Sequence, residues 1–305
     1  MKKIIKTLFF LLIPIGVSGQ LNPVTDQYIL NPITINPAFA GSRGALNVAA
    51  FFRKQWVGVK GSPETLTLSG DSPILNEKIG VGLTIISDKI GVTKETQIMT
   101  SYSYKLDLYG GTLSFGLGAG LIATHTAWSD LVALDPGDEF YLINSRLFVV
   151  PNFSFGTNYA YGNHSVGFSI PKFLTYKFNF DKNRYSMTIS PGKNSYLFNY
   201  GYHYTISPNL KFFPSTLLTF THGEKVLFDL NAYFNYIERF WAGVSYRNGR
   251  AISSLVQFQI NNQLRVAYSY DIDINRLGRY SSGSHEIMLR YEFRYKVDVS
   301  NPLVF

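Results

Sequence analysis

The sequence predicts an all-β chain: a transmembrane antiparallel β-barrel of about fourteen strands. Three observations carry this. Aromatic residues make up 16% of the 305 residues while charged residues are also only 16%, well below the roughly 25% charge of ordinary soluble proteins. Apolar and polar residues alternate with period two over long stretches, which places one set on each face of a sheet. Many of those stretches run ten residues or more, as Glu95–Leu108, Thr112–Thr124, Lys225–Tyr236 and His285–Tyr295 do. Soluble strands average about 5–6 residues, whereas a tilted strand crossing a bilayer needs about 9–11. A soluble β-sandwich would alternate in the same way, so strand length decides against it.

The chain begins with a basic patch at Lys2, Lys3 and Lys6, then an apolar run from Thr7 to Ile15 and the small residues of Val17-Ser18-Gly19. This is the pattern of a secretory signal, residues 1–19, cleaved before Gln20. The apolar run is too short for a spanning helix, which needs about 20 residues. Removing the three lysines lowers the formal charge from +8 to +5. Cysteine is absent, which excludes a disulfide scaffold, an iron–sulfur site, a Cys₄ zinc site and a lipoprotein anchor. An exported, cysteine-free, strand-rich chain belongs in the bacterial outer membrane.

Residues 20–44 form an Asn-Pro-rich entrance segment ahead of a barrel spanning 45–305 that ends in a C-terminal extension. The strands are expected at 45–53, 64–70, 79–87, 95–108, 112–124, 151–161, 164–170, 196–205, 209–222, 225–236, 239–248, 251–260, 263–273 and 285–295. Within them Phe153, Phe155, Tyr159 and Tyr161 alternate with Asn152, Ser154, Asn158 and Ala160. Tyr196 to Tyr204, Leu264 to Tyr270 and Ile287 to Tyr295 repeat the pattern. Even-to-odd connections are compact: Gly110-Gly111, Gly162-Asn163, Ser207-Pro208, Ile237-Glu238 and Asn261-Asn262. Such short turns mark the periplasmic end. The opposite joins, Lys54–Pro63, Asp88–Lys94, His125–Val150, Pro171–Ser195 and Ile274–Ser284, are mostly long. The last residue, Phe305, is an aromatic terminus of the kind many outer-membrane barrels carry, although Asn301-Pro302 interrupts any strand leading to it.

No residue pattern nominates catalysis, and no metal or cofactor is expected. His125, His164, His203, His222 and His285 are dispersed without ligand spacing. Asn163-His164-Ser165 is an adjacency without the surroundings of a triad. Asp135-Pro136-Gly137-Asp138-Glu139 lacks the ligand alternation of a calcium loop. Gly116-Leu117-Gly118-Ala119-Gly120 lacks the spacing and following helix of a nucleotide loop, so its glycines are read as lumen-facing positions on a crowded strand. Nucleic-acid binding is not expected, because the aromatic residues fall on the lipid-facing set.

The entrance segment is of another kind. Asp26-Gln27-Tyr28-Ile29-Leu30-Asn31-Pro32 leads to Ile35-Asn36-Pro37-Ala38-Phe39-Ala40-Gly41-Ser42. Two Asn-Pro steps in six residues impose turns and extended backbone. Arg53-Lys54-Gln55-Trp56, Gly61-Ser62-Pro63-Glu64-Thr65 and Ser87-Asp88-Lys89-Ile90-Gly91 follow. In this order, and through Leu113–Gly120, the Gly137-Asp138 loop and Val166–Pro171, the chain resembles the PorP/SprF family of Bacteroidetes outer-membrane proteins of type IX secretion and gliding motility. The resemblance implies a barrel without catalytic activity that helps secrete adhesin-like cargo or hold it at the surface. It also implies coupling to periplasmic lipoprotein and peptidoglycan-binding components of that machinery. A general porin or solute channel is the alternative, since a barrel of this size can leave a lumen.

Candidate partner-docking residues follow. Asn31, Pro32, Asn36, Pro37 and Gly41 mark pinned turns at the barrel entrance. Arg53, Gln55 and Trp56 end the first strand at the outer rim and, with Gly61, Pro63 and Thr65, form a candidate patch for cargo or a translocon subunit. A Trp at that position also suits an anchor at the membrane interface. Lys54, Lys60, Lys89, Lys94, Lys172, Lys177, Lys182, Arg184 and Lys193 cluster in or beside the outer connections, where they can engage lipopolysaccharide phosphates or an acidic cargo domain.

Overall fold

The computed structural model describes residues 28–74, 77–130, 144–179, 184–188 and 191–293. The secretory signal, the acidic 135–139 segment and the C-terminal extension with Phe305 lie outside them. The fold is a closed fourteen-stranded antiparallel barrel. Its strands are β1 Leu46–Lys54, β2 Glu64–Ile74, β3 Ile79–Ile90, β4 Thr93–Leu108, β5 Gly111–Thr126, β6 Phe148–Tyr161 and β7 His164–Ile170. Then follow β8 Ser195–Tyr202 with its continuation Tyr204–Ser207, β9 Leu210–Thr221, β10 Leu227–Tyr236, β11 Phe240–Arg247, β12 Ala251–Gln259, β13 Leu264–Asp273 and β14 Ser284–Phe293. Each strand pairs with the next, and β1 pairs with β14 from Leu46↔Phe293 to Lys54↔His285, which closes the ring. Closure removes sheet edges, the only way a sheet can satisfy its backbone inside a bilayer.

The wall follows the alternation. Leu46, Val48 and Phe52 of β1 are exposed to the outside while Asn47, Ala49, Phe51 and Arg53 are buried on the inside. Prolines sit where the ladder needs no donor. Pro214 of β9 lies between the pairs Gly201↔Ser215 and Tyr204↔Phe212, where the β8 ladder lapses; there His203 N donates to Asn163 O instead, at 2.9 Å. Pro73 of β2 lies past Asn47↔Asp71, the last pair that β2 makes with β1. At the end with compact turns, Tyr109 and Gly110 both carry positive φ (48° and 78°), as a two-residue hairpin turn requires.

Two connections differ most from the sequence expectation, while the compact turn expected at Gly110-Gly111 falls one residue earlier, at Tyr109-Gly110, and β2 runs to Ile74 rather than ending at 70. The Asp88–Lys94 join is almost entirely strand, because β3 and β4 stay paired to Ile90↔Thr93 and turn at Gly91-Val92. The charged residues there face the barrel exterior or interior in proper alternation, so the ladder continues beyond the apolar band. The Pro171–Ser195 connection holds a separate hairpin, Thr175–Asn179 paired with Arg184–Thr188. Phe173 N donating to Phe153 O (3.0 Å) and Asn152 Nδ2 donating to Pro171 O (3.2 Å) hold the connection against β6.

Candidate functional site: the plugged lumen

The inside of the barrel is occupied by its own N-terminal segment. Residues 28–44 run through the lumen with two short 3₁₀ turns, Pro32–Thr34 and Pro37–Phe39, each started by an Asn-Pro step. Proline at the first helical position suits such a turn because its missing N–H is not needed there. Asn36 Oδ1 accepts from Ala38 N at 2.9 Å, capping the second turn.

This segment has no sheet to satisfy its backbone, so donors on the wall take its carbonyls. Arg290 of β14 donates to Leu30 O, which also accepts from Arg43 of the segment itself. Ser169 Oγ donates to Ile35 O (2.7 Å), Ser103 Oγ to Ala40 O (2.7 Å) and Lys105 Nζ to Gly41 O (2.7 Å). Gly41 N donates to Asp71 Oδ2 (2.9 Å), whose other oxygen accepts from Asn47 Nδ2 (2.8 Å). Asn31 Nδ2 reaches Ser69 Oγ (2.9 Å), and Asn36 Nδ2 reaches Thr157 O (3.0 Å). Asn231 Nδ2 donates to the Tyr28 hydroxyl at 2.8 Å. The contacts span strands from β2 around to β7, and β10 and β14. They cross the lumen from wall to wall.

Apolar contacts complete the seat. Leu30 packs with Ala49, Phe51, Tyr233, Leu255, Ala267 and Met288, with Ile29, Phe213 and Trp241 at the margin. Tyr28 and Ile35 pack with Leu197 and Leu217. Several of the large aromatic side chains therefore face inward onto the plug rather than outward to lipid. Wall glycines allow the close approach: a Cβ on Gly156 would lie 1.9 Å from Asn36 Oδ1. A Cβ on Gly80 would lie 2.0 Å from Ala40 O, and one on Gly116 would lie 2.1 Å from Ala38 N. The lumen-facing glycines expected from the Gly116–Gly120 segment are on that face; the plug crowds Gly116, whereas Gly118 and Gly120 are crowded by Ser154, Ile98 and Met99 of the neighbouring strands.

Toward the long-connection end, Arg53 is buried and donates to Asp271 (2.8 Å) and Glu286 (3.0 Å). Ser253 Oγ donates to the other Asp271 oxygen (2.5 Å), and Arg250 pairs with Asp229 (2.5 Å). Toward the compact-turn end, Arg265 pairs with Glu292 at 3.1 Å. Charged residues at alternate wall positions thus meet partners inside the barrel, as charge in a low-dielectric interior requires.

The candidate docking residues are distributed differently from the sequence expectation. Asn31 and Asn36 are 1% and 0% exposed, and Pro37 and Gly41 are buried as well. They present no surface to a partner; with Pro32 they build the plug. Arg53, Gln55, Pro63 and Thr65 are also buried, with Thr65 Oγ1 on Asp88 at 2.5 Å and Gln55 N on Pro63 O at 2.9 Å. Only Trp56 and Gly61 reach the surface. Trp56 adopts φ 46° and its indole hydrogen-bonds Asp273. The neighbouring Val57 exchanges backbone bonds with the 282–283 turn, Val57 N to Gly283 O and Ser282 N to Val57 O. The patch is a strapped outer loop, joined by Gly91 N donating to Gly61 O at the β3–β4 tip (2.9 Å). Among the described residues no three potential metal ligands cluster.

One consequence is measurable directly. Asn36→Ala removes a cap and a wall anchor, each buried bond costing about 1–3 kcal/mol when one partner is left unpaired. Trypsin cleavage after Arg43 is expected to rise about tenfold or more, with the barrel retaining its heat-modifiable gel mobility. Equal cleavage would show that Asn36 does not hold the plug.

The family model described as type IX secretion system membrane protein PorP/SprF matches residues 17–291. None of the curated proteins matches the chain. Among solved structures, the fold is similar to the CymD monoaromatic hydrocarbon channel (TM-score 0.53, 11% identity, covering 89% of this chain and 94% of that one). It is also similar to the Acinetobacter baumannii outer membrane protein Omp33 (TM-score 0.51, 9% identity, 82% and 98%). The Ralstonia pickettii toluene transporter TbuX gives a TM-score of 0.50 at 8% identity, covering 85% and 92%. At these identities the likeness is one of fold.

Proposed function

The chain belongs to the PorP/SprF family of type IX secretion membrane proteins, and from that premise we propose that it is a plugged, non-catalytic scaffold in the outer membrane. In this reading it supports the secretion or surface attachment of large adhesin-like cargo and couples that cargo to periplasmic components of the machinery. The observation that supports it is the plug. A barrel that devotes more than a dozen residues to crossing its own lumen, with wall donors matched to the plug's carbonyls, is built to hold a fixed shape. An open porin would need that space free.

Deletion of the gene, followed by mass spectrometry of surface and medium proteins, tests the role. One large adhesin-like protein should be lost from the surface while other outer-membrane proteins stay at their normal level. An unchanged set of surface and secreted proteins would sink the proposal. Within the strapped outer loop, Trp56→Ala is expected to abolish surface retention of that cargo with barrel abundance unchanged. Loss of the barrel itself would instead make Trp56 a folding residue.

The general porin is the reading to beat, because the fold is shared with channels. Planar-bilayer recordings separate the two: the scaffold is silent, whereas a porin gives steady open conductance.

A further inference from the structure

The outward face at the long-connection end carries a row of ionisable side chains that neither plug nor loop patch uses. By strand register, Lys89 of β3 lies beside Lys94 of β4, and Lys94 beside His125 of β5. Lys89 and Lys94 are exposed. All three sit on the same outward set as Ile85, Ile98 and Leu121, two steps farther from the bilayer centre along each strand pattern. Adjacent strands are about 4.8 Å apart, so their terminal groups converge. The row continues to β2 and β1 through Glu64, which lies beside Lys89 in register and pairs with Lys54, so among the described residues the row carries more positive than negative charge.

Immediately below this row the side chains are small: Ser87, Thr96 and Ala123, in register with one another. Below them comes a fully apolar row, Ile85, Ile98 and Leu121. The small residues leave a hollow of about 450 Å³ lined by Lys94, Thr96, Ala123, His125, Ser145 and Leu147. His125 is fixed in orientation, since its Nδ1 donates to Ser145 O at 3.0 Å. That leaves Nε2 as the ring atom available to a ligand.

We propose that this hollow binds the phosphorylated headgroup of a glycolipid of the outer leaflet. Lys89 and Lys94 hold the phosphate, His125 Nε2 accepts from a hydroxyl of the headgroup, the Thr96 hydroxyl offers a further donor, and an acyl chain runs down over Ile98 and Leu121. Two features together favour a lipid over an acidic polypeptide. The cations border the lipid-facing wall, and strand register sets the apolar row of Ile85, Ile98 and Leu121 next below the hollow, a surface suited to an adjoining hydrocarbon tail. Ammonium groups beside phosphate make short charge-assisted bonds, and their strength grows at the edge of the low-dielectric bilayer.

The test uses the full-length protein purified in detergent and incubated with diphosphorylated lipid A. Retained lipid is read by native mass spectrometry. The native protein should retain lipid A, and Lys89→Ala with Lys94→Ala should weaken retention about tenfold or more. Ala123→Leu, which fills the hollow without changing charge, should do the same. Lys78→Ala, in the β2–β3 turn at the opposite end, should change nothing. Heat-modifiable mobility confirms that each variant is folded. Equal retention by the native protein and the lysine variants would overturn the site. Equal retention of dephosphorylated lipid A would overturn phosphate recognition. Displacement by millimolar inorganic phosphate would reassign the site to the free anion, and displacement by poly-glutamate to an acidic protein.

Discussion

Gly116→Ala is expected to turn a silent barrel into a conducting one. The new methyl carbon would stand 2.1 Å from Ala38 N and 2.3 Å from Pro37 C, distances that real Cβ atoms do not tolerate. Both neighbours are backbone in a turn held by Asn36, so no rotamer change relieves the overlap. Either β5 bows outward against lipid and its neighbours, or the plug lifts from its seat. The wall is held by paired ladders on both sides of β5, from Leu108↔Gly111 to Thr93↔Thr126 and from Thr112↔Ala160 to Thr124↔Phe148, so the plug gives way first. Planar-bilayer recordings should show steady openings for Gly116→Ala and none for the native protein. Gly201→Ala is the matched control, because a Cβ there meets only Ser215 Cβ at 3.9 Å. A silent Gly116→Ala barrel whose Arg43 stays resistant to trypsin would mean that the N-terminal segment does not govern the lumen.

The second large effect concerns the wall. Asp271→Ala should destabilise the barrel by about 3–5 kcal/mol, the usual consequence of removing one partner from a buried ion pair. Arg53 would lose its 2.8 Å bond to Asp271, and Ser253 would lose its acceptor. Urea unfolding in micelles, followed by intrinsic fluorescence, reads the loss as a lower midpoint at unchanged slope. Arg53→Met in the same background should recover part of it, since the penalty lies in the charge left without its partner rather than in the contact. An unshifted midpoint for Asp271→Ala would show that water reaches this end of the lumen and solvates Arg53.

The two predictions act on different parts of one design. One tests the insert, anchored by donors of the wall, and the other tests the paired charge of the wall itself. The fold is shared in outline with outer-membrane channels, and in this chain the lumen holds its own N-terminal segment.

Much of this was legible before any coordinates. All fourteen strands are where the alternation places them, because a period of two is a local property that each stretch of sequence carries by itself. The turn at Gly162-Asn163 was legible for the same reason, since glycine admits the φ of 53° found there, whereas Ile237-Glu238 was placed by the strands on either side, neither residue favouring its positive φ. The family resemblance rested on loop and turn motifs, which are likewise local, and the family match spans them.

The plug was not legible as a plug. Its Asn-Pro steps announce turns, and turns they are, but nothing near Asn36 says that Thr157, Gly116 and Ser169 surround it. Alternation assigns Phe51, Tyr233 and Trp241 to a face without saying that the inner face holds an apolar cluster around Leu30. The same holds for the buried fate of Arg53 and Thr65, which local sequence presents as the rim of a loop. The sequence by itself determined the strands, their two faces and the long and short ends, since each follows from backbone preference and side-chain period within one segment. Only the tertiary structure decided what the inner face meets, because a closed ring brings together side chains more than two hundred residues apart, such as Arg53 and Glu286, and no local period encodes that meeting.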